Sequence, residues 1–251
     1  MSRALVNARD VNVSVATTAS LLGNPVQTLL TGEQWPGVLQ ELGISVATLP
    51  HAQCTARSRQ TLMRAGERLA GVPMLSEGWA ARVSRLPDGR RQILSFVLPG
   101  DFVSISTVFS EKLLYFVEAV TPVRCIYYDR DDFSRQMMAD PHVFAALVKL
   151  LLAEKERAYQ LAVDLGRRDA TERIARLLLH LKSRLEMRGL VVDGAFDLPL
   201  RQQHIADATG LTSVHVNRVF CTLRQDGLVD VRDGRLKILD LPALNERADI
   251  S

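Results

Sequence analysis

Two stretches in the C-terminal third of the chain place apolar residues at helical spacing on either side of a glycine. Ile205, Ala206 and Ala208 line one side of the first, and Val216, Val219, Phe220 and Leu223 line one stripe of the second. Gly210 between them can take the left-handed backbone conformation that ends one helix and turns the chain into the next. Leu211 then fills the angle, and Thr212 or Ser213 caps the second helix. After that helix the period changes: Val229 and Val231 alternate, Asp233-Gly234 reads as a two-residue turn, and Leu236, Ile238 and Leu239 resume a strand. The pattern over 202–240 predicts a helix-turn-helix with a β-hairpin wing, a shape that reads duplex DNA.

Upstream the pattern is that of short strands. Val83 and Leu86 precede the Pro87-Asp88-Gly89 turn, and Ile93, Phe96 and Leu98 follow it. Further turn signals at Ala65-Gly66-Glu67, Glu77-Gly78 and Pro99-Gly100-Asp101 recur at the spacing of a β-barrel or jelly roll, with two more strands predicted over 116–120 and 123–128. Asp140-Pro141 then opens a helix that runs to about Gly166. In it Phe144, Leu147, Leu151, Glu154, Ala158, Leu161 and Leu165 recur at alternating spacings of three and four, as in a coiled-coil heptad. Its N-terminal part is expected to pack on the barrel and its C-terminal part to form a dimer seam, with Leu147, Leu151, Glu154, Ala158, Leu161 and Leu165 as interface residues and Glu154 as a polar break that limits register. Asp169 caps the next helix with Glu172 reaching back, and Ile174, Leu177, Leu178, Leu181 and Leu185 run along it to a stop at Gly189.

The expected fold class is α+β. An arm covers 1–30, a jelly-roll sensor-like domain 31–138, a dimerisation helix 139–167 and a winged helix-turn-helix DNA-binding domain 168–245. The length of 251 residues suits two modest domains, and 47% hydrophobic with 24% charged residues is ordinary for soluble protein. No apolar run reaches membrane-spanning length and the first residues lack a signal-peptide pattern, so the expected location is cytoplasmic, away from any membrane. The net charge of +3 adds little, since residues 169–251 carry twelve Lys or Arg against twelve Asp or Glu. A DNA-attracting field must therefore be local, where Arg201, Arg218, Arg224 and two histidines face only Asp207 and Asp226.

At 100° per residue, Val214, Asn217, Arg218 and Cys221 fall opposite the apolar stripe of the second helix, with Ser213 and His215 flanking. Arg218 can fork onto guanine O6 and N7, Asn217 can bond a base edge or phosphate, and Val214 can meet a thymine methyl. Arg201, Gln202, Thr212 and Ser213 are placed to hold phosphates. Cys221 is a candidate redox residue, because oxidation would add bulk or charge at this face; an inert half-exposed thiol is the simpler alternative. The three cysteines at 54, 125 and 221 are scattered, Cys125 reads as a small buried hydrophobe, and the five histidines show no metal-ligand spacing. No metal or cofactor is expected.

In this order of elements the chain resembles the Crp/Fnr family of bacterial transcription regulators over roughly residues 40–245. The resemblance is carried by GWAARVSRLPDGRRQILSFVLPGDFV, DATERIARLLLHL and HIADATGLTSVHVNRVFCTLRQDGLV. It implies a homodimer on a two-fold symmetric operator, double-stranded DNA as partner, and RNA polymerase as a further partner if the protein is an activator. Dimer geometry would then set half-sites about one helical turn apart, roughly 34–36 Å.

Departures from the family narrow the expectation. The Gly-Glu-Leu turn and Arg-Ser pair of cAMP-binding members are missing: Val103-Ser104-Ile105 follows Phe102, and no arginine lies between Arg91 and Arg124. A buried phosphate without a countercharge is costly, so no cAMP response is expected. Three scattered cysteines do not supply the four ligands of an iron–sulfur cluster, and nothing in the sequence proposes haem. The remainder looks like the effector-independent, nitrogen-fixation-type branch. Where relatives carry Glu-x-x-Ser-Arg, this chain has Val214-His215-Val216-Asn217-Arg218, which keeps the arginine and drops a carboxylate that would read cytosine. A cupin-like enzyme on the jelly roll would need convergent histidines and carboxylates, and only His51 is near; no enzyme is expected. A ligand-binding module docking a partner protein through its C-terminal helices is a third reading.

Overall fold

A computed structural model describes residues 12–15, 51–69, 71–110 and 112–249. The chain forms two compact units, whose main division falls between Glu154 and Lys155. In the first, β2 (His51–Ala56), β4 (Gly71–Glu77) and β8 (Val123–Asp129) form an antiparallel sheet with β1 (Asn12–Val15) on the outer side of β2. A second sheet has the order β3-β7-β5-β6, from β3 (Thr61–Met63), β5 (Ala80–Arg85), β6 (Arg91–Val97) and β7 (Phe116–Ala119). The strands expected over 116–120 and 123–128 are thus present, as are the two jelly-roll sheets.

Side-chain alternation explains why β4 and β8 read as nearly continuous apolar runs. Leu75 and Cys125 point inward with Cys54, Val97, Val117 and Ala119 of the inter-sheet core, whereas Val72, Met74, Ile126 and Tyr128 point to the opposite face. That opposite face is covered by α1 (Arg130–Ala139), through Phe133 and Met137, and by the first turns of α2 (Pro141–Arg167), through Val143 and Leu147. Phe102 meets the Phe133 ring edge-on at 5.6 Å in the same cluster. Gly78 has φ +79°, and a Cβ there would run into the Pro122 carbonyl, so the Glu77-Gly78 turn requires glycine.

Three elements of this unit escape the sequence pattern. α1 starts with no intervening loop, because Asp129 ends β8 and its side chain caps the helix by accepting from the Asp132 N–H at 2.9 Å. β2 alternates Ala52, Cys54 and Ala56, residues too small to register as an apolar stripe. β1 lies within the expected 1–30 arm, the rest of which is outside the described residues.

The second unit begins in the C-terminal half of α2. α3 (Ala170–Glu186) starts as expected: Asp169 accepts from Thr171 and Glu172 N–H groups at 2.7 and 2.9 Å, and Glu172 accepts from the Asp169 N–H at 2.7 Å. α4 (Gln202–Thr209) and α5 (Ser213–Gln225) follow, then β10 (Val229–Arg232) and β11 (Arg235–Ile238). Asp233 and Gly234 both have positive φ, 50° and 76°, the backbone of a two-residue hairpin turn that matches strand twist. The strand ends at Ile238, and Leu239 is exposed. Two further elements complete the unit: β9 (Ala195–Asp197), pairing with β11, and α6 (Leu241–Arg247), which buries Leu244 and is capped by Asp240. Among the described residues no single helix is long and apolar enough to cross a membrane.

Candidate DNA-binding surface

The turn between α4 and α5 is built as the spacing predicts. Gly210 caps α4 in the left-handed region (φ 67°, ψ 32°), and the Leu211 N–H returns to the Ala206 carbonyl at 3.0 Å. Thr212 is the N-cap of α5, its hydroxyl accepting from the His215 N–H at 3.2 Å. Ser213 ties the two helices together by donating to Gln203 Oε1 at 2.8 Å, and Gln203 Nε2 donates to Asp207 Oδ1 at 2.6 Å. Val216, Val219, Phe220 and Leu223 are buried, which fixes the rotation of α5.

The opposite face of α5 is open. Val214 is 64% exposed, and His215, Asn217 and Arg218 are exposed beside it. Arg201 and Gln202 are exposed at the start of α4, where the Arg201 N–H donates to His204 Nδ1 at 3.2 Å. Cys221 is half-buried, with its sulfur 3.7 Å from Asn217 Oδ1 and 3.6 Å from an Arg224 guanidinium nitrogen. The candidate base- and phosphate-contacting residues thus share one surface, although the hydroxyls of Thr212 and Ser213 already hold the turn.

Ion pairing explains how an even charge count leaves a local positive field. Arg232 pairs with Asp230 at 2.9 Å, Arg235 with Asp197 at 3.3 Å and Arg247 with Asp226 at 2.7 Å. Asp207 is largely buried and held by Gln203. Among the described residues no carboxylate pairs with Arg201, Arg218 or Arg224. These acids are engaged by other partners, and no carboxylate among the described residues offsets those three cations.

The seam residues on α2 are divided by the structure. Leu147 is fully buried in the core of the first unit and Leu151 packs against the same cluster, so Leu147 is closed to a partner, a correction to its expected place in the seam. Leu161 and Leu165 are half-buried, Leu165 lying against Gly210, while Ala158 is exposed. Glu154 is not a free polar break but pairs with Arg82 of β5 at 2.8 Å. The Arg82 guanidinium also donates to the Val103 and Phe102 carbonyls, each at 2.9 Å. Burial opposes its charge, yet the Tyr115 phenol and the Glu154 and Asp101 carboxylates outweigh burial and hold its pKa above the ordinary value. The stripe left exposed on α2 shares only Phe144 with the expected heptad and continues through Val148, Leu152, Tyr159 and Val163. Periodicity finds that this helix is apolar but cannot assign its two adjoining stripes, one of which the barrel takes.

Two of the three cysteines are scattered only in sequence. Cys54 on β2 and Cys125 on β8 are directly opposed across the strand pair and both are buried. Among the described residues no group of three or more His, Cys, Asp or Glu is placed to hold a metal ion.

A family model described as a Crp-like helix-turn-helix domain matches residues 172–247, and a cyclic nucleotide-binding domain model matches residues 54–140. The transcriptional activator protein FnrL of Cereibacter sphaeroides is 33% identical over 75% of this chain and 77% of its own length. The nitrogen fixation regulation protein FixK of Bradyrhizobium diazoefficiens is 35% identical over 65% of this chain and 68% of its own. Among solved structures, FixK2 from Bradyrhizobium japonicum matches with a TM-score of 0.71 at 25% identity, covering 78% of this chain and 96% of that one.

Proposed function

The chain belongs to the Crp/Fnr family of DNA-binding transcription regulators, and we propose that it acts as a homodimer on a two-fold symmetric operator, with no response to cAMP and no iron–sulfur cluster. The observation that carries this reading is the exposed face of α5, where Arg218 has no acidic partner among the described residues and stands beside Val214 and Asn217. Arg218 reads guanine, Val214 contacts a thymine methyl, and Asn217 takes a neighbouring base edge or phosphate. Arg201, Gln202, His215 and the backbone N–H groups at the start of α5 hold phosphates. Pairing through the exposed stripe of α2, with Ala158 and the outer edges of Leu161 and Leu165, would carry two α5 helices to successive major grooves.

The absence of a cAMP response is supported by what occupies the cognate region. Ile105 and Leu113 are buried there, Lys112 is exposed, and Arg82 is already held by Glu154 and two carbonyls. Among the described residues there, a cyclic phosphate would find no buried cation free of a partner. With Cys54 and Cys125 facing each other and Cys221 in the other unit, three thiols do not make a four-ligand cluster. Relatives named as activators support RNA polymerase as a second partner.

Duplexes selected from a random pool by the purified protein test the reading, followed by gel shifts on selected and scrambled sites. Arg218→Ala should lose about 1–3 kcal/mol of discrimination between the two. Arg201→Ala should weaken both alike and reduce the salt slope by about one. Enrichment of no palindromic sequence, or equal affinity of Arg218→Ala and the parent for the selected site, would refute it.

A further inference from the structure

Inside the first unit, β2 and β8 run antiparallel with Cys54 paired to Cys125, Ala52 to Tyr127 and Ala56 to Val123. All six side chains belong to one face of the strand pair, and the two thiols are 1% and 0% exposed. Directly opposed residues on antiparallel strands have Cα atoms about 4.5–5.5 Å apart, inside the window of about 4.4–6.8 Å that a disulfide spans. Their flanking neighbours on β2, Ala52 and Ala56, are small. We infer that Cys54 and Cys125 form a dithiol–disulfide couple between the two jelly-roll sheets, a modification site that closes when a small hydroperoxide reaches it.

The surroundings assign a role to each sulfur. The neighbouring Cys125 thiol first, then the Tyr127 hydroxyl and the Cys125 backbone, hold the Cys54 pKa below the ordinary thiol value against the opposing effect of burial. Cys125 is pushed well above that value, first by its hydrogen bond to Cys54 and then by burial. These opposite directions favour Cys54 as the nucleophile. Its thiolate attacks one peroxide oxygen, the O–O bond breaks, and hydroxide leaves, which takes up a proton to become water. The sulfur is left as a sulfenic acid. Cys125 then attacks that sulfur, and its proton departs with the displaced hydroxide as a second water. Two thiols are oxidised to one disulfide while one hydrogen peroxide is reduced to two waters. Burial sets the class of oxidant, small and uncharged, and the nearness of Cys125 means that the sulfenic acid is captured before it can oxidise further.

Full-length protein carrying Cys221→Ser, treated with hydrogen peroxide, blocked at remaining thiols and digested without reductant, decides the matter by mass mapping. The expected product is a peptide pair joining Cys54 to Cys125, lighter by two hydrogens than the separate peptides and split again by dithiothreitol. In Cys125→Ala, with no resolving thiol, Cys54 should instead be trapped as its sulfenic acid by dimedone. The inference is overturned if both residues are recovered as free thiols after peroxide that fully oxidises Cys221 in the parent. It is also overturned if Cys54 is found as sulfinic or sulfonic acid while Cys125 is present. Should Cys125→Ala fail to fold, the map of the Cys221→Ser protein decides alone.

Discussion

Glu154→Gln removes a charge from the Arg82 pair while keeping the shape of the side chain and one acceptor oxygen. Two unit charges about 4 Å apart attract by about 4 kcal/mol at an effective dielectric of roughly 20. The Arg82 side chain is 14% exposed and that of Glu154 27%, so water screens part of this, and the amide also escapes the cost of desolvating a carboxylate. The expected net loss is about 1–2 kcal/mol. Arg82→Met removes in addition the donors to the Val103 and Phe102 carbonyls, each worth about 1 kcal/mol, for an expected loss of about 3–4 kcal/mol. The double variant should cost about 1–2 kcal/mol less than the sum of the single losses. Urea unfolding reads this through Trp79, which is buried against Phe96 with ring centroids 6.4 Å apart, in a Trp35→Phe background that silences the other tryptophan. If the two losses simply add, or if Glu154→Gln unfolds within about 0.3 kcal/mol of the parent, the pair is a surface decoration and the reasoning fails.

Leu152→Glu lies on the exposed stripe of α2 and should convert dimer to monomer in sedimentation equilibrium while changing the stability of the first unit by no more than about 0.5 kcal/mol; an unchanged mass would remove this stripe from the interface. Gly210→Ala should cost more than Gly227→Ala, about 2 against about 1 kcal/mol in thermal melts. Both glycines have similar positive φ, but only at Gly210 does an added Cβ approach Leu165, at 3.0 Å. Equal losses would show that the contact yields freely.

The C-terminal unit was legible because its signals are local. A glycine with one viable conformation, a capping box from Asp169 to Glu172, and an Asp-Gly turn each declare themselves within four residues. What stayed hidden depends on partners distant in sequence. β9 is three residues long and exists because β11 pairs with it, and the opposition of Cys54 to Cys125 is fixed by strand register that no short window contains. Leu147 was misplaced in the α2 seam for a related reason: heptad spacing reports that it is apolar, and only the position of α1 beside it decides which surface it fills. Glu154 likewise looked like a register device until β5 brought Arg82 to it.

The three-stranded order β10-β11-β9 has a consequence for synthesis. β9 emerges from the ribosome before the two helices of the helix-turn-helix, yet its hydrogen-bonding edge stays open until β11 arrives, and Ala248 must still pack and accept from Arg176 at 3.2 Å. Translation halted after α5 would therefore release a chain that carries every residue proposed to contact bases but cannot hold them in place. Premature stop codons downstream of Gln225 should yield protein that is degraded instead of a crippled competitor for the operator.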